Sequence, residues 1–264
     1  MDLHKAFATN KETWNARTQF HYDSHFYDKF AFAKAKNSLN HYEQEALGDV
    51  LGKSMLHLQC HFGQDSLSWA HKGAVVTGVD ISDTAIELAR QLSQELSIPA
   101  DFVCCNVLDT SQYIQQKFDI IFTSYGTIGW LPDLKPWATM IAQCLQPGGT
   151  FYMVEFHPIA WMFDYQTSPP QMTYPYANTG VIYEDYKGSY ASPDESFQSR
   201  EYCWNHSLSE VVQALIDAGL QITTLSEHDG SPYNVFPNMI SKSGLFYLEE
   251  ALYPTIFEVK AVLQ

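Results

Sequence analysis

Residues 54–80 read SMLHLQCHFGQDSLSWAHKGAVVTGVD, and the parsing of this stretch decides the fold. SMLHLQC, from Ser54, alternates apolar and polar residues with the period of a half-buried strand. The loop Gln59-Cys60-His61-Phe62-Gly63-Gln64-Asp65 follows. DSLSWAHKG then reads as a helix, with Lys72 in its last turn and Gly73 as a left-handed stop. AVVTGVD is a β-branched, buried strand ending at Asp80.

Working outward, the same rhythm continues. SDTAIELARQLSQELSIP is an amphipathic helix whose Ala85, Ile86, Ala89, Leu92 and Leu96 share a face, with Ser82 as N-cap and Pro99 at its end. ADFVCCNVLD is a third strand with its loop, and FDIIFTSYG a fourth. LPDLKPWATMIAQCLQPGG predicts a helix turning Trp137, Met140, Ile141, Cys144 and Leu145 inward and ending at Gly148-Gly149. TFYMVEFHP is a fifth strand. Residues 160–204, with four prolines and eleven aromatics, break the pattern. SLSEVVQALIDAG restores it, opened by a Ser207/Glu210 capping box and closed by Gly219. LQITTLSEH and PTIFEVKAVL are sixth and seventh strands. Before Ser54, helices are expected around Thr13–Ala33 and Leu39–Leu51.

Strands alternating with helices at a spacing of roughly 25–30 residues predict an α/β fold, a doubly wound Rossmann-like sheet with helices on both faces. Ligands of such sheets lie beyond the strand carboxyl ends, near the switch point. That places Gln59–Gly63, Asp80–Ile81, Cys105–Val107 and Ser124–Gly126 around one crevice. A dinucleotide would want G-x-G-x-x-G after the first strand, so that a pyrophosphate can approach the backbone. The loop here has one glycine, with His61 and Asp65 where others are expected, and Asp65 would repel a phosphate. Asp80 nevertheless sits where an acid grips both hydroxyls of an adenosine ribose. An adenosine ligand lacking a pyrophosphate satisfies both facts, and S-adenosylmethionine is one.

The run 54–80, together with FDIIFTSYG and LQPGGTFYMVEFHP, resembles the class I S-adenosylmethionine-dependent methyltransferases. It is most similar to a bacterial subgroup whose first motif reads L-Q-C-H-F-G. The resemblance implies a seven-stranded sheet with the last strand, PTIFEVKAVL, antiparallel between the fifth and sixth. It implies a methionine moiety lined by Gln59, Cys60, His61 and Gly63, and a ribose on Asp80. Ile81 would pack on the adenine, Asn106 would bond its exocyclic amine with the Val107 N–H nearby, and Ser124 and Tyr125 would lie under the sulfonium. Gln59 stands where the family usually carries an acid toward the ligand's amino group, so backbone carbonyls of this loop, or of Ser124 and Tyr125, are expected to substitute. His157, at the end of the fifth strand, is a candidate general base, since histidine titrates near working pH, and Tyr125 a candidate for steering the substrate.

The expected organisation is an N-terminal helical lid over residues 1–50 and a methyltransferase domain over 51–264, interrupted by the aromatic insertion at 160–204. Within the lid, Arg17 and Tyr22 are expected at the cofactor, Arg17 near its carboxylate, because three histidines and an arginine are poor core material. Tyrosine- and tryptophan-rich walls suit flat or cationic substrates.

Composition narrows the partners. The net charge of −15, from 15 basic and 30 acidic residues, disfavours nucleic acid and anionic membranes, which bind through Lys and Arg. Apolar content of 45% indicates a packed core. Five cysteines in no disulfide spacing, and no apolar N-terminal segment, point to a reduced cytoplasmic protein. Cys60-His61 has no second Cys/His pair at ligand spacing, so no metal is expected. The expected reaction is methyl transfer from S-adenosylmethionine to a small molecule, leaving S-adenosylhomocysteine. The alternatives are a protein methyltransferase, a non-catalytic cofactor-binding regulator and, less favoured, an NAD-dependent oxidoreductase. Oligomeric state is not legible.

Overall fold

The computed structural model describes residues 2–165, 167, 169–191, 197–250 and 252–264. The parts of the aromatic insertion at 166, 168 and 192–196 therefore lie outside the described residues. Three helices precede the first strand: α1 (Leu3–Tyr22), α2 (Lys29–Ala35) and α3 (His41–Leu47). The single helix expected around Thr13–Ala33 is thus two, and it begins earlier. Asp2 starts α1 by accepting from the N–H groups of His4 (3.0 Å) and Lys5 (3.5 Å). Side chains then break it: Ser24 Oγ donates to the His21 carbonyl, and Asp28, at φ 28°, caps α2 through the Ala31 N–H.

The alternating core follows: β1 (Ser54–Leu58), α4 (Gln64–His71), β2 (Val75–Asp80), α5 (Asp83–Leu96), β3 (Asp101–Cys104), α6 (Thr110–Tyr113), a short helix not expected from the sequence, β4 (Phe118–Ser124), α7 (Leu134–Cys144) and β5 (Leu145–Phe156). Ser82 Oγ caps α5 by accepting from Ala85 N–H, as its position in the sequence requires. The helix α7 ends at Cys144, four residues before the Gly148-Gly149 stop expected of it. Leu145 already pairs with Phe118 in the sheet, and Gly148 (φ 79°) turns the chain inside the strand's irregular start.

Two strands in the insertion, β6 (Ile182–Lys187) and β7 (Gln198–Cys203), form an antiparallel hairpin. Then come α8 (Leu208–Asp217), with its Ser207/Glu210 capping box, and β8 (Leu220–His228). A small sheet joins Gly230–Ser231 to β9 (Met239–Lys242) and β10 (Leu245–Leu248), a feature the sequence left unassigned. The chain closes with β11 (Ile256–Leu263).

The main sheet has seven strands in the order β8-β11-β5-β4-β1-β2-β3. Strands β1 to β5 pair in parallel, and β11 runs antiparallel to both β5 and β8, as the resemblance implied. Alternation along the strands feeds two cores. Leu56, Leu58 and Ile121 enter the layer under α7 and α8 with Trp137 and Val211, while Met55, Ile120 and Phe122 enter the opposite layer with Trp69 and Tyr152.

Helix α1 does not bury an apolar stripe. Its inward residues are Asn10, Thr13, Arg17, Thr18 and His21, together with Ala6. Asn10, Thr13 and Arg17 are polar because they serve the strand β7. Asn10 exchanges two bonds with the Tyr202 backbone at 2.8 Å each, Thr13 Oγ1 donates to the Arg200 carbonyl, and Arg17 donates to Ser199 Oγ. The N-terminal helix and the insertion hairpin are one docked unit. Among the described residues, no helix is long and apolar enough to cross a membrane.

Candidate functional site

The first loop carries left-handed backbone at alternate positions: Gln59 (φ 53°), His61 (φ 50°) and Gly63 (φ 80°). These are the positions where glycine relieves strain, so the expectation that Asp65 fills a glycine position is corrected. Asp65 lies in the first turn of α4, where its carboxylate accepts from Ser38 Oγ (2.5 Å) and Ser124 Oγ (3.4 Å). Gly63 is fixed doubly: a Cβ there would meet the Phe102 ring at 2.8 Å. His61 is held in its strained conformation by its own N–H, which donates to Asp80 Oδ2 at 2.8 Å.

Asp80 stands at the tip of β2, its second oxygen accepting from Ser82 N–H at 2.8 Å. Burial pushes its carboxyl up to about 6, against the pull of the backbone N–H groups of Ser82, His61 and Ile81. A carboxylate has about four acceptor directions. His61 and Ser82 take two of these and the Ile81 N–H leans on the same carboxylate, which still leaves acceptor capacity for a ligand.

The end of β4 is built differently. Tyr125 (φ 38°) and Gly126 (φ 77°) turn the chain sharply, and Glu155 of β5 holds that turn from beneath. The buried Glu155 carboxylate accepts from the N–H groups of Gly126, Thr127 (2.6 Å), Ile128 (3.3 Å) and Phe156 (2.7 Å), and from Thr127 Oγ1 (3.0 Å). Sequence reasoning missed Glu155. Its signal was an acid inside the otherwise apolar run TFYMVEF.

One cavity of about 740 Å³ opens over these strand ends. Its wall includes Gln59, Cys60, His61, Gly63, Asp80 and Ile81 from the first half of the fold. Asn106, Val107, Ser124, Tyr125 and Arg17 line it as well. Asn106 Oδ1 accepts from Leu108 N–H at 3.0 Å, so only its remaining lone pair could meet an adenine amine. Gln59 Nε2 donates to the Thr127 carbonyl at 2.9 Å, while its Oε1 is buried with no partner among the described residues. An orphaned acceptor and a carboxylate with acceptor capacity left suit a ligand that brings an ammonium and a pair of hydroxyls.

Three expected residues behave otherwise. Tyr22 lies outside the cavity wall, with its ring edge-on to Phe62 and under the Lys29 ammonium. His157 also lies outside it and is buried. Its Nε2 meets Glu227 Oε1 at 2.7 Å and its Nδ1 accepts from Ile159 N–H at 3.2 Å, so both nitrogens are engaged. Burial moves its pKa down. This geometry gives His157 a structural place at the β5 end and no path to a reacting atom. Arg17 does line the cavity, but its guanidinium is tied to Glu201, Ser199 Oγ and Tyr186 Oη rather than left open for a carboxylate. Trp14, Trp130 and Tyr186 surround it at 5.3–5.7 Å. Among the described residues no cluster of His, Cys, Asp or Glu is placed to hold a metal ion.

Residues 56–153 match the family described as "Methyltransferase domain". That stretch, less than half of the chain, is similar to a methyltransferase domain. The match spans β1 to most of β5, so it contains the first loop, Asp80, Asn106 and Tyr125. Curated relatives of this domain include the ubiquinone biosynthesis O-methyltransferase of Photorhabdus laumondii, 31% identical over 117 residues, 44% of this chain and 48% of that one. Another is the same-named protein of Proteus mirabilis, 32% identical over 108 residues, 41% and 44%. The chain thus spans about half the length of the curated relatives it matches. Among solved structures, a putative S-adenosylmethionine-dependent methyltransferase from Listeria monocytogenes superposes with a TM-score of 0.61 at 17% identity, over 85% of this chain and 96% of that one. The magnesium protoporphyrin IX methyltransferase of Synechocystis, solved with its methyl donor bound, gives 0.58 at 14%, over 100% and 98%. These likenesses establish the methyltransferase fold. The family match itself stops before the insertion at 160–204.

Proposed function

We propose that this protein transfers a methyl group from S-adenosylmethionine to a small-molecule acceptor by in-line displacement. The observation that carries the reading is Asp80: a carboxylate at the tip of the second strand, held by the backbone N–H groups of His61 and Ser82, with acceptor capacity left in the cavity wall. On this reading Asp80 takes the ribose hydroxyls, and Ile81, Asn106 and Val107 frame the adenine. Gln59, Cys60, His61 and Gly63 line the methionine end, with Gln59 Oε1 accepting from the ammonium, and Ser124 and Tyr125 lie under the sulfonium. The donor is a substrate of the reaction, and it supplies an electrophilic methyl.

The protein's own contribution is alignment and the exclusion of water, which together are worth on the order of 7–11 kcal/mol when reacting atoms are held in line. Residues 1–50 with the 160–204 insertion act as the roof that provides both. The docking of α1 on β7 supports this reading. The five cysteines, all free, suit a reducing cytoplasm.

The test is native mass spectrometry with and without S-adenosylmethionine, followed by release of S-adenosylhomocysteine on incubation with a small-metabolite extract. Retention of the donor and turnover are expected. Retention of NAD instead would overturn the reading.

A further inference from the structure

The insertion contributes its own stretch of the cavity wall. There, Glu184 of β6 lies directly opposite Glu201 of β7 in the hairpin register, and both side chains line the cavity. Like charges facing each other across an antiparallel pair repel, and repulsion grows where solvent is excluded. Glu201 is 6% exposed. Arg17 neutralises one of the two by pairing with Glu201. No cation among the described residues lies at ion-pair distance from Glu184, whose Oε1 accepts only from Tyr174 Oη at 2.9 Å.

The imbalance extends to the whole chamber. Its wall carries seven carboxylates and one guanidinium. Its histidines do not redress the balance: burial pushes His57 down to about 3 and His61 well below its ordinary value, so both stay neutral. Several of the carboxylates have other duties, Asp65 toward Ser38 and Ser124 and Glu201 toward Arg17 among them. Asp80 holds the first loop, Glu155 holds the Tyr125 turn, and Asp28 caps α2. The insertion also gives this wall the rings of Trp161, Phe163, Tyr165, Tyr174 and Trp204. Rings with carboxylates behind them form a receptor for an organic cation, and Arg17 among Trp14, Trp130 and Tyr186 shows the same environment already holding one.

Resting on the methyl-transfer reading above, we propose that the acceptor is an amine carried on an aromatic or apolar body, and that Glu184 is its specificity determinant. The electron count favours nitrogen in this wall. An incoming ammonium gives one proton to a carboxylate or to water. The amine lone pair then forms the N–CH3 bond as the C–S bond breaks, and that electron pair stays on sulfur. Positive charge leaves sulfur and appears on nitrogen, beside Glu184, where it is stabilised as it develops. A phenol would have to become a phenolate beside Glu184, a carboxylate with no cation at ion-pair distance among the described residues, and that raises the barrier to the step.

The experiment is titration of phenethylamine and tryptamine, with 4-ethylphenol and phenylacetate as controls, into protein saturated with S-adenosylhomocysteine. The amines are expected to bind at least tenfold more tightly than either control. Glu184→Gln should weaken amine binding at least tenfold, Glu184→Asp should restore most of it, and both variants should bind S-adenosylhomocysteine within twofold of wild type. Tighter binding of the phenol or the acid, no binding of either amine to the saturated protein, or amine binding indifferent to Glu184→Gln would each overturn the proposal. Failure of S-adenosylhomocysteine itself to bind would instead bring down the methyl-transfer reading on which it rests.

Discussion

The His61 N–H donates to Asp80 Oδ2 at 2.8 Å, so the strained first loop and the acid at the tip of the second strand are positioned by one bond. On the proposed reading, the acid that would take a ribose also holds the loop that would line the methionine end. Because burial raises the Asp80 carboxyl to about 6, its charge is incomplete in mildly acidic solution. Hydroxyl donors need the ionised form. Donor affinity should therefore rise as pH increases through 6 and level off by about 7, and be weaker at pH 5 than at pH 7 by about tenfold. Titration calorimetry across that range checks it, and Asp80→Asn should flatten the profile.

Glu155 is the hidden support of the β4 turn. Glu155→Ala removes the acceptor for the N–H groups of Gly126, Thr127, Ile128 and Phe156 at once. Each stranded donor costs about 1–3 kcal/mol when buried, and partial access of water to the loosened turn should bring the total to about 3–5 kcal/mol. Denaturant unfolding measures this. Cofactor affinity should fall with it, because Tyr125 and Gly126 would no longer be fixed.

Arg17 and Glu201 form a buried pair that ties α1 to the insertion hairpin. Arg17→Ala leaves Glu201 buried without its cation and should destabilise by about 3–5 kcal/mol, whereas the double change Arg17→Met with Glu201→Leu should lose much less. Limited proteolysis gives an independent readout. In Arg17→Ala, cleavage should appear first within the hairpin, with the sheet still protected.

Much of the fold was legible because its signals are local. Ser82, Ser207 with Glu210, and Gly219 mark helix ends through bonds made within a few residues of themselves, and the structure shows each in that place. The seventh strand was legible through its alternation, which matches its pairing with β5 and β8. Other features depend on partners far along the chain. Arg17 reads as a free cation until Glu201, 184 residues on, is brought against it. His157 reads as a base until Glu227 and the Ile159 N–H are seen to occupy its nitrogens. The first loop was misregistered because a left-handed position was sought through glycine, whereas Gln59 and His61 adopt that conformation without one.

The most direct test of the central claim is calorimetric titration of S-adenosylmethionine into wild type and Asp80→Ala, with unfolding curves confirming that both are folded. The account predicts saturable binding by wild type, weakened at least 100-fold (about 2.7 kcal/mol) in the variant. Equal affinity in the two proteins would contradict it, because the adenosine would then be held somewhere other than the tip of the second strand.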